Sequence, residues 1–205
     1  MRSVADFYQD CIAAVDQQPP LDVQLADAVS CVLAEDVRAP FNLPVADLAA
    51  CDGYAVRASD CSRAALDAPV SLPVTEEIRA GVVDPAALVP GTAIRIASGA
   101  PVPAGADAVV ALEFTDHGVA EVGVRSAPAV GENIRRRAED VAEGQVVLRS
   151  GARVGARQVA LLAGVGRSRV LVHPRPRVVV LSIGDELVEP GRTARPGTVF
   201  DANGH

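Results

Sequence analysis

Lysine and tryptophan are absent from this 205-residue chain, and the remaining aromatics are two tyrosines and four phenylalanines. With so few rings, a core has to be assembled from Val, Leu, Ala and Ile. Apolar residues make up 49% of the chain, so a packed globular interior is within reach. The missing lysine leaves arginine as the carrier of all 19 strong positive charges. A GC-rich genome accounts for that usage; where arginines cluster, their planar fork also suits bidentate capture of anions. Positive charge is in deficit overall, with a formal net charge of −7, which argues against general binding to nucleic acid. Cysteine is sparse: Cys11, Cys31, Cys51 and Cys61 never form a CxxC pair and the three histidines are scattered, so a Cys/His zinc site is not expected. Reduced thiols in a cytoplasmic protein fit best. No apolar run approaches the ~20 residues of a membrane span. The opening MRSVADFYQDC lacks the apolar stretch of a signal peptide.

What is present changes character along the chain. Ser3 is placed to cap a helix with Asp6 as its box partner, and Val4, Phe7, Cys11, Ile12 and Val15 follow at helical spacing. QQPP ends that helix. Leu21 to Leu25 reads as a strand, and Asp27 to Leu33 as a second helix burying Ala28, Val29, Val32 and Leu33. From Pro40 short β-type runs recur between Gly/Pro turns: YAVR, APVSLPV, IRAGVV, TAIRIA, DAVVALEF and GVAEVGVRSA. That spacing predicts a small β barrel or sandwich ending near Asn133. A mixed segment follows, with GQVVLRSG as strand and turn, a helix from about Ala156 to Ala163, and SRVLVH. The simplest topology inserts the β module into an α/β module made from both flanks. PRPR at 174–177 reads as a linker, and VVVLSIGDEL as the start of a buried parallel strand with Gly184 and Asp185 at its carboxyl end. One strand and a loop cannot make a doubly wound domain, so the sequence is expected to be cut within a third domain.

Chemistry-bearing residues collect in turn-rich stretches, where function concentrates. Asp52-Gly53 is a turn former, or a rigid carboxylate for a divalent metal or a proton. Ser98 in SGAP is a turn residue between strands, or a hydroxyl offered to an oxyanion. Arg135, Arg136 and Arg137, followed by Glu139 and Asp140, form a solvated face with internal ion pairs, or a phosphate grip beside acids that hold Mg²⁺. Asp185-Glu186 suits a helix N-terminus, or a metal or ligand hydroxyl.

The order of these stretches resembles the MoeA family, the molybdopterin molybdenumtransferases, to which the E domain of gephyrin is related. The likeness rests on PLDVQLADAVSCVLAEDVRAPFNLP, DGYAVR, SGAPVPAGADAVV, NIRRRAEDV, QVALLAGVGRSRVLVHPRPRVVVLSIGDELVEPG and GTVFDANGH. It implies a mixed α/β domain I over 1–42 and 133–174, an inserted small β domain II over 43–132, and the start of an α/β molybdopterin-binding domain III over 175–205. It implies a cytoplasmic homodimer whose site is shared between subunits. The implied reaction is Mg²⁺-dependent insertion of molybdate into adenylylated molybdopterin, an anionic pterin, with release of AMP. A molybdopterin adenylyltransferase is the implied partner; neither nucleic acid nor membrane is. Asp52, Asp140 and Glu186 match the acids of the family's catalytic motifs, as Mg²⁺ carboxylates, and Ser98 is the fourth catalytic residue implied, standing where the family usually has Thr. Arg135, Arg136, Arg137, Gly184 and Asp185 are the expected ligand-binding residues. The 205 residues alone are expected to lack activity. Where the family reads DNSAMDGYA, this chain reads DLAACDGYA, so Leu48, Ala49 and Cys51 replace Asn, Ser and Met. Ile183 and Ala138 also depart from the family pattern. These changes keep open an alternative, a paralogue serving as a dimeric interaction scaffold.

Overall fold

The computed structural model describes residues 2–204; Met1 and His205, at the two ends of the stretches quoted above, lie outside them. In chain order the first elements are α1 (Val4–Ala13), β1 (Leu21–Gln24), β2 (Val32–Leu33), β3 (Val37–Arg38), β4 (Leu48–Ala49), β5 (Gly53–Val56), β6 (Val70–Ile78) and β7 (Ala93–Ile96). They are followed by β8 (Ala108–Ala111), β9 (Glu121–Val124), β10 (Ile134–Arg135), β11 (Val146–Leu148), α2 (Ala156–Gly164), β12 (Arg169–His173), β13 (Leu187–Val188) and β14 (Val199–Phe200).

The capping box forms: Ser3 Oγ accepts the Asp6 amide at 3.1 Å while the Asp6 carboxylate accepts from Ser3. α1 stops at Ala13, so Val15 lies beyond it, and no side chain of α1 is buried.

The two flanks of the chain are sewn together. β12 is the centre of a three-stranded sheet between β1 and β2, with Leu21 opposite Val172 and His173 opposite Val32. β11 pairs antiparallel with β3. One core serves both flanks: Ala28, Leu33 and Val37 pack with Val154, Leu162, Val165, Val170 and Val172. The sequence between them forms a five-stranded sheet in the order β8-β5-β7-β6-β9, antiparallel except for β6 beside β7. Strands β5, β7 and β8 are largely apolar on both faces because both are covered there, whereas β6 carries exposed Glu76 and Glu77. Successive residues alternate between two clusters, Tyr54, Val56, Ala108 and Val110 on one side and Ala55, Val109, Ile94 and Ile96 on the other.

Three expectations change. Asp27–Leu33 is not a helix: the chain turns there and enters β2. Ser30 takes the left-handed conformation at φ 69° and donates to Val154, and the Leu33 amide donates to Ala152, so tertiary pairing overrides the local pattern. Ala28 and Leu33 are buried, as a helix would have placed them, but Val29 is 45% exposed. IRAGVV is not a strand of its own: Ile78 closes β6 and a turn follows. VVVLSIGDEL is not a buried strand either. Val178 to Leu181 carry no strand and are exposed, and the pairing in this region is instead β13 parallel to β14. A strand needs a neighbour for its hydrogen bonds, and none lies beside Val178–Leu181 among the described residues.

Gly53 is wedged between β7 and β8, opposite Ile96 and Ala111. A Cβ there would overlap the Val110 carbonyl oxygen, which is backbone and cannot yield easily. Gly53→Ala is therefore expected to cost about 1–3 kcal/mol, read as a fall of roughly 5 °C in Tm. Gly164, at the end of α2 with open space around it, tolerates alanine with an equal or higher Tm. Thermal melts check both, and an unshifted Gly53→Ala would contradict this packing.

Candidate functional site

Three of the polar stretches meet in space, laced mainly through backbone. The turn before β5 and the SGAP turn after β7 exchange hydrogen bonds: Ala49 N–H donates to Ala100, and Gly99 N–H to the Ala49 carbonyl at 2.8 Å. The Ser98 amide donates to Asp52 Oδ1 at 2.7 Å. The third stretch joins where Ala50 N–H donates to Asn133, β10 pairs with β4, and Asn133 Nδ2 donates to the Val109 carbonyl. Tyr54 of the CDGYAVR stretch anchors β5 from beneath: its ring is buried and its hydroxyl donates to the Gly118 carbonyl at 2.8 Å.

Asp52 is exposed, and one oxygen is fixed by the Ser98 amide. Its other oxygen has no hydrogen-bond partner among the described residues. The Ser98 hydroxyl faces back to the Ala50 carbonyl at 3.4 Å. So Ser98 supports Asp52 through its backbone, in addition to any role for its hydroxyl. Burial, then the negative charges of Glu113 and Asp52, push the Cys51 thiol up, so this neighbour is poorly suited to thiolate chemistry.

The arginine stretch is internally paired. Arg135 bonds the Asp140 carboxylate, whose hydrogen bond and charge hold the guanidinium above its ordinary value. Arg136 bonds Asp47 Oδ2 at 2.6 Å, and the Arg137 amide donates to Asp47 Oδ1 at 2.8 Å. Glu139 accepts the Arg136 amide. Ala138 stands at φ 64°, where the family pattern has glycine, and its amide donates to Pro44. Asp47 escaped the sequence reading; its signal was its place five residues before Asp52, at the head of DLAACDGYA.

A cavity of about 160 Å³ opens beside Asp52, lined by Gly53, Glu77, Arg95, Ile96, Ala97 and Leu112 as well. Glu77 and Arg95 are adjacent across β6 and β7 and were also missed. The available clue was a charged residue inside the otherwise apolar strand AIRI.

The fourth stretch stands apart. The Glu186 carbonyl accepts from Val199, and Ser182 Oγ donates to Asp201 at 2.9 Å. Gly184 lies under the Glu186 carboxylate, and its carbonyl accepts the Leu187 amide. Asp185 begins that turn. Among the described residues no hydrogen bond joins Gly184, Asp185 or Glu186 to the Asp52 and arginine loops. No three His, Cys, Asp or Glu come together as a metal cluster there either. The chain thus does not assemble Asp52, Asp140 and Glu186 into one three-carboxylate site by itself. The half-free Asp52 carboxylate does suit Mg²⁺, which takes one or two carboxylates together with waters and substrate phosphates.

Asp47 carries a pH signature. The Arg137 amide, opposed by partial burial and aided by Arg136, holds its carboxyl below the usual 3.8. A depressed carboxyl contributes stability above its unfolded value and loses it as pH falls through the lower folded value. The Asp47→Asn protein is expected to melt below the parent at neutral pH, by no more than about 1 kcal/mol for so solvated a pair. The two melting temperatures should converge well below pH 3.8. A difference that persisted in acid would contradict the ion pair as its source.

A family model described as the MoeA N-terminal region (domain I and II) matches residues 2–166. Molybdopterin molybdenumtransferase 2 of Mycobacterium tuberculosis is 45% identical over 203 residues, covering 99% of this chain and 50% of the relative. Molybdopterin molybdenumtransferase 1 of the same organism is 42% identical over 221 residues, covering 100% of this chain and 52% of the relative. A solved molybdopterin biosynthesis MoeA protein from Pyrococcus horikoshii overlays with a TM-score of 0.76 at 38% identity, covering 85% of this chain and 46% of that one. The chain spans about half the length of these relatives. In fold and in sequence alike, the chain belongs to the MoeA family and corresponds to its N-terminal region.

Proposed function

We propose that the protein carrying this chain works in molybdenum cofactor biosynthesis, inserting molybdate into adenylylated molybdopterin with release of AMP. The observation that carries this reading is the junction of the Asp52, Ser98 and arginine loops beside a cavity. An exposed carboxylate with one oxygen tied to the Ser98 amide stands there, and so does an arginine run on the same scaffold. The names of the relatives supply the substrate class.

In this reading Asp52 is the positioned carboxylate. Its fixed oxygen sets the geometry, and its second oxygen is available for a proton or a cation. The departures at Leu48, Ala49 and Cys51 leave it in place, because the group that anchors it is a backbone amide. Ala49 is buried, and Leu48 pairs with Arg135 in the sheet, so these positions carry packing. That favours the enzyme over the scaffold. Asp140 tethers Arg135, and the arginine loop faces the anionic pterin. Asp52 would hold Mg²⁺, with Asp140 and Glu186 reaching it only in the assembled protein, and the ion would supply charge that neutralises phosphate oxygens. Gly184, Asp185 and Glu186 belong to the molybdopterin-binding domain III that begins at 175. Domain I comprises 1–42 and 133–174, and domain II comprises 43–132. The site is completed across a cytoplasmic homodimer, supplied by an adenylyltransferase. The pairing of β1 and β2 with β12 supports the split domain I. The exposed Phe7, Tyr8 and Ile12 of α1 support a covered, dimeric N-terminal face.

In the full-length protein, Asp52→Asn keeps an oxygen to accept the Ser98 amide, so folding should survive within ~0.5 kcal/mol. The insertion rate should fall on the order of a hundredfold, about 3 kcal/mol of transition-state stabilisation. Paired measurements of Tm and AMP-releasing insertion decide. Equal rates would remove Asp52 from catalysis, and a parent with no insertion activity would leave the scaffold as the better reading.

A further inference from the structure

The three consecutive arginines are not equivalent. Arg135 is spent on Asp140 and Arg136 on Asp47. Arg137 is exposed, and its guanidinium has no ion pair or hydrogen bond among the described residues. Asp47 does two things at once: one oxygen holds the Arg136 side chain and the other holds the Arg137 main-chain amide. That fixes the backbone from which the Arg137 side chain starts. The tip of the Arg136 side chain lies close to Gly131, where an added Cβ would come within 3.1 Å of its terminal nitrogen. The Asp47 carbonyl also accepts the Val102 amide at 2.9 Å, tying the clasp to the SGAP turn that fixes Asp52.

We propose that Asp47 is a positioning residue for anion binding: it clasps the loop so that Arg137, rather than Arg135 or Arg136, presents its guanidinium to a tetrahedral oxyanion of the substrates. The inference rests on the molybdenum-insertion reading and goes beyond it by assigning separate roles to the three arginines. A carboxylate-paired guanidinium has its charge and part of its fork engaged and its direction fixed, whereas a free fork offers two parallel donors to phosphate or molybdate. Holding the loop in the binding geometry beforehand lowers the ordering cost of that contact.

The test uses the full-length protein and the KM values for adenylylated molybdopterin and for molybdate separately. Arg137→Gln breaks no side-chain hydrogen bond or ion pair among the described residues, so it should fold like the parent. It should raise one of the two KM values about tenfold or more, the worth of a charge-assisted hydrogen bond, with kcat near the parent value. A rise for the adenylylated pterin assigns the oxyanion as phosphate, and a rise for molybdate assigns it as molybdate. Asp47→Ala, which removes both oxygens of the clasp, should raise the same KM, and the double variant should be no worse than Arg137→Gln alone, because the two act as one unit. Arg136→Gln should repeat the Asp47→Ala effect in weaker form. Effects that multiply in the double variant, or a loss of kcat with both KM values unchanged, would make Asp47 merely structural and overturn the proposal. Parental KM values in Arg137→Gln overturn it even if Asp47→Ala does not fold. A parent without insertion activity sinks the function reading and this inference together, whereas an active parent with unchanged KM values sinks this inference alone.

Discussion

β1 lies antiparallel to β12, with Leu21 opposite Val172 and Gln24 opposite Arg169, and the rest of the structure depends on that seam. It closes a very long loop, but the entropic cost of closure rises only with the logarithm of loop length, so a sizeable insertion is tolerated. The seam is sealed by the shared core around Leu33, Leu162 and Val172 and by Arg169, which bonds both the side chain and the carbonyl of Asp22. Once the flanks are joined, the intervening sequence must leave and return at nearly the same place. The five-stranded sheet is what it builds on the way. Leaving and returning segments then run side by side, which is why β4 near 48 meets β10 near 134. The loops of the candidate site sit at this crossing.

Electrostatics sorts what the crossing brings together. The chain is acidic overall, yet its densest arginine run is placed against Asp47 and Asp140. These pairs are solvent-facing and contribute little to global stability. Their effect is geometric: each fixes one side chain and leaves the next one available. Asp52 follows the same logic with the Ser98 amide as its partner. Asp52 is therefore anchored by a backbone amide, which the side-chain changes at Leu48, Ala49 and Cys51 do not remove.

Much of this was legible in the sequence because the signals were local. The capping box of α1, the short strands YAVR and TAIRIA, and the helix near Ala156 follow from caps, alternation and turn residues. The failures were non-local. Asp27–Leu33 has apolar residues at helical spacing, but Ser30 is turned left-handed by its bond to Val154, more than a hundred positions away. Val178–Leu181 is apolar enough for a buried strand, but burial is conferred by neighbours, not composition. Within the site, Asp52, Ser98 and the arginines were visible as residue types beside turn formers. Asp47, Glu77 and Arg95 were not, because their importance comes from being opposite something: Asp47 across the β4–β10 crossing, Glu77 and Arg95 across β6 and β7 at the cavity.

The central claim is that the crossing of the Asp52, Ser98 and arginine loops receives the anionic substrate. A crystal structure of the full-length protein with adenylylated molybdopterin bound tests it most directly. The account predicts the ligand's phosphate groups against the arginine loop, with its reacting end beside Asp52 near the cavity lined by Glu77 and Arg95. A ligand bound with no contact to Asp52 or to the arginine loop of either subunit would contradict it.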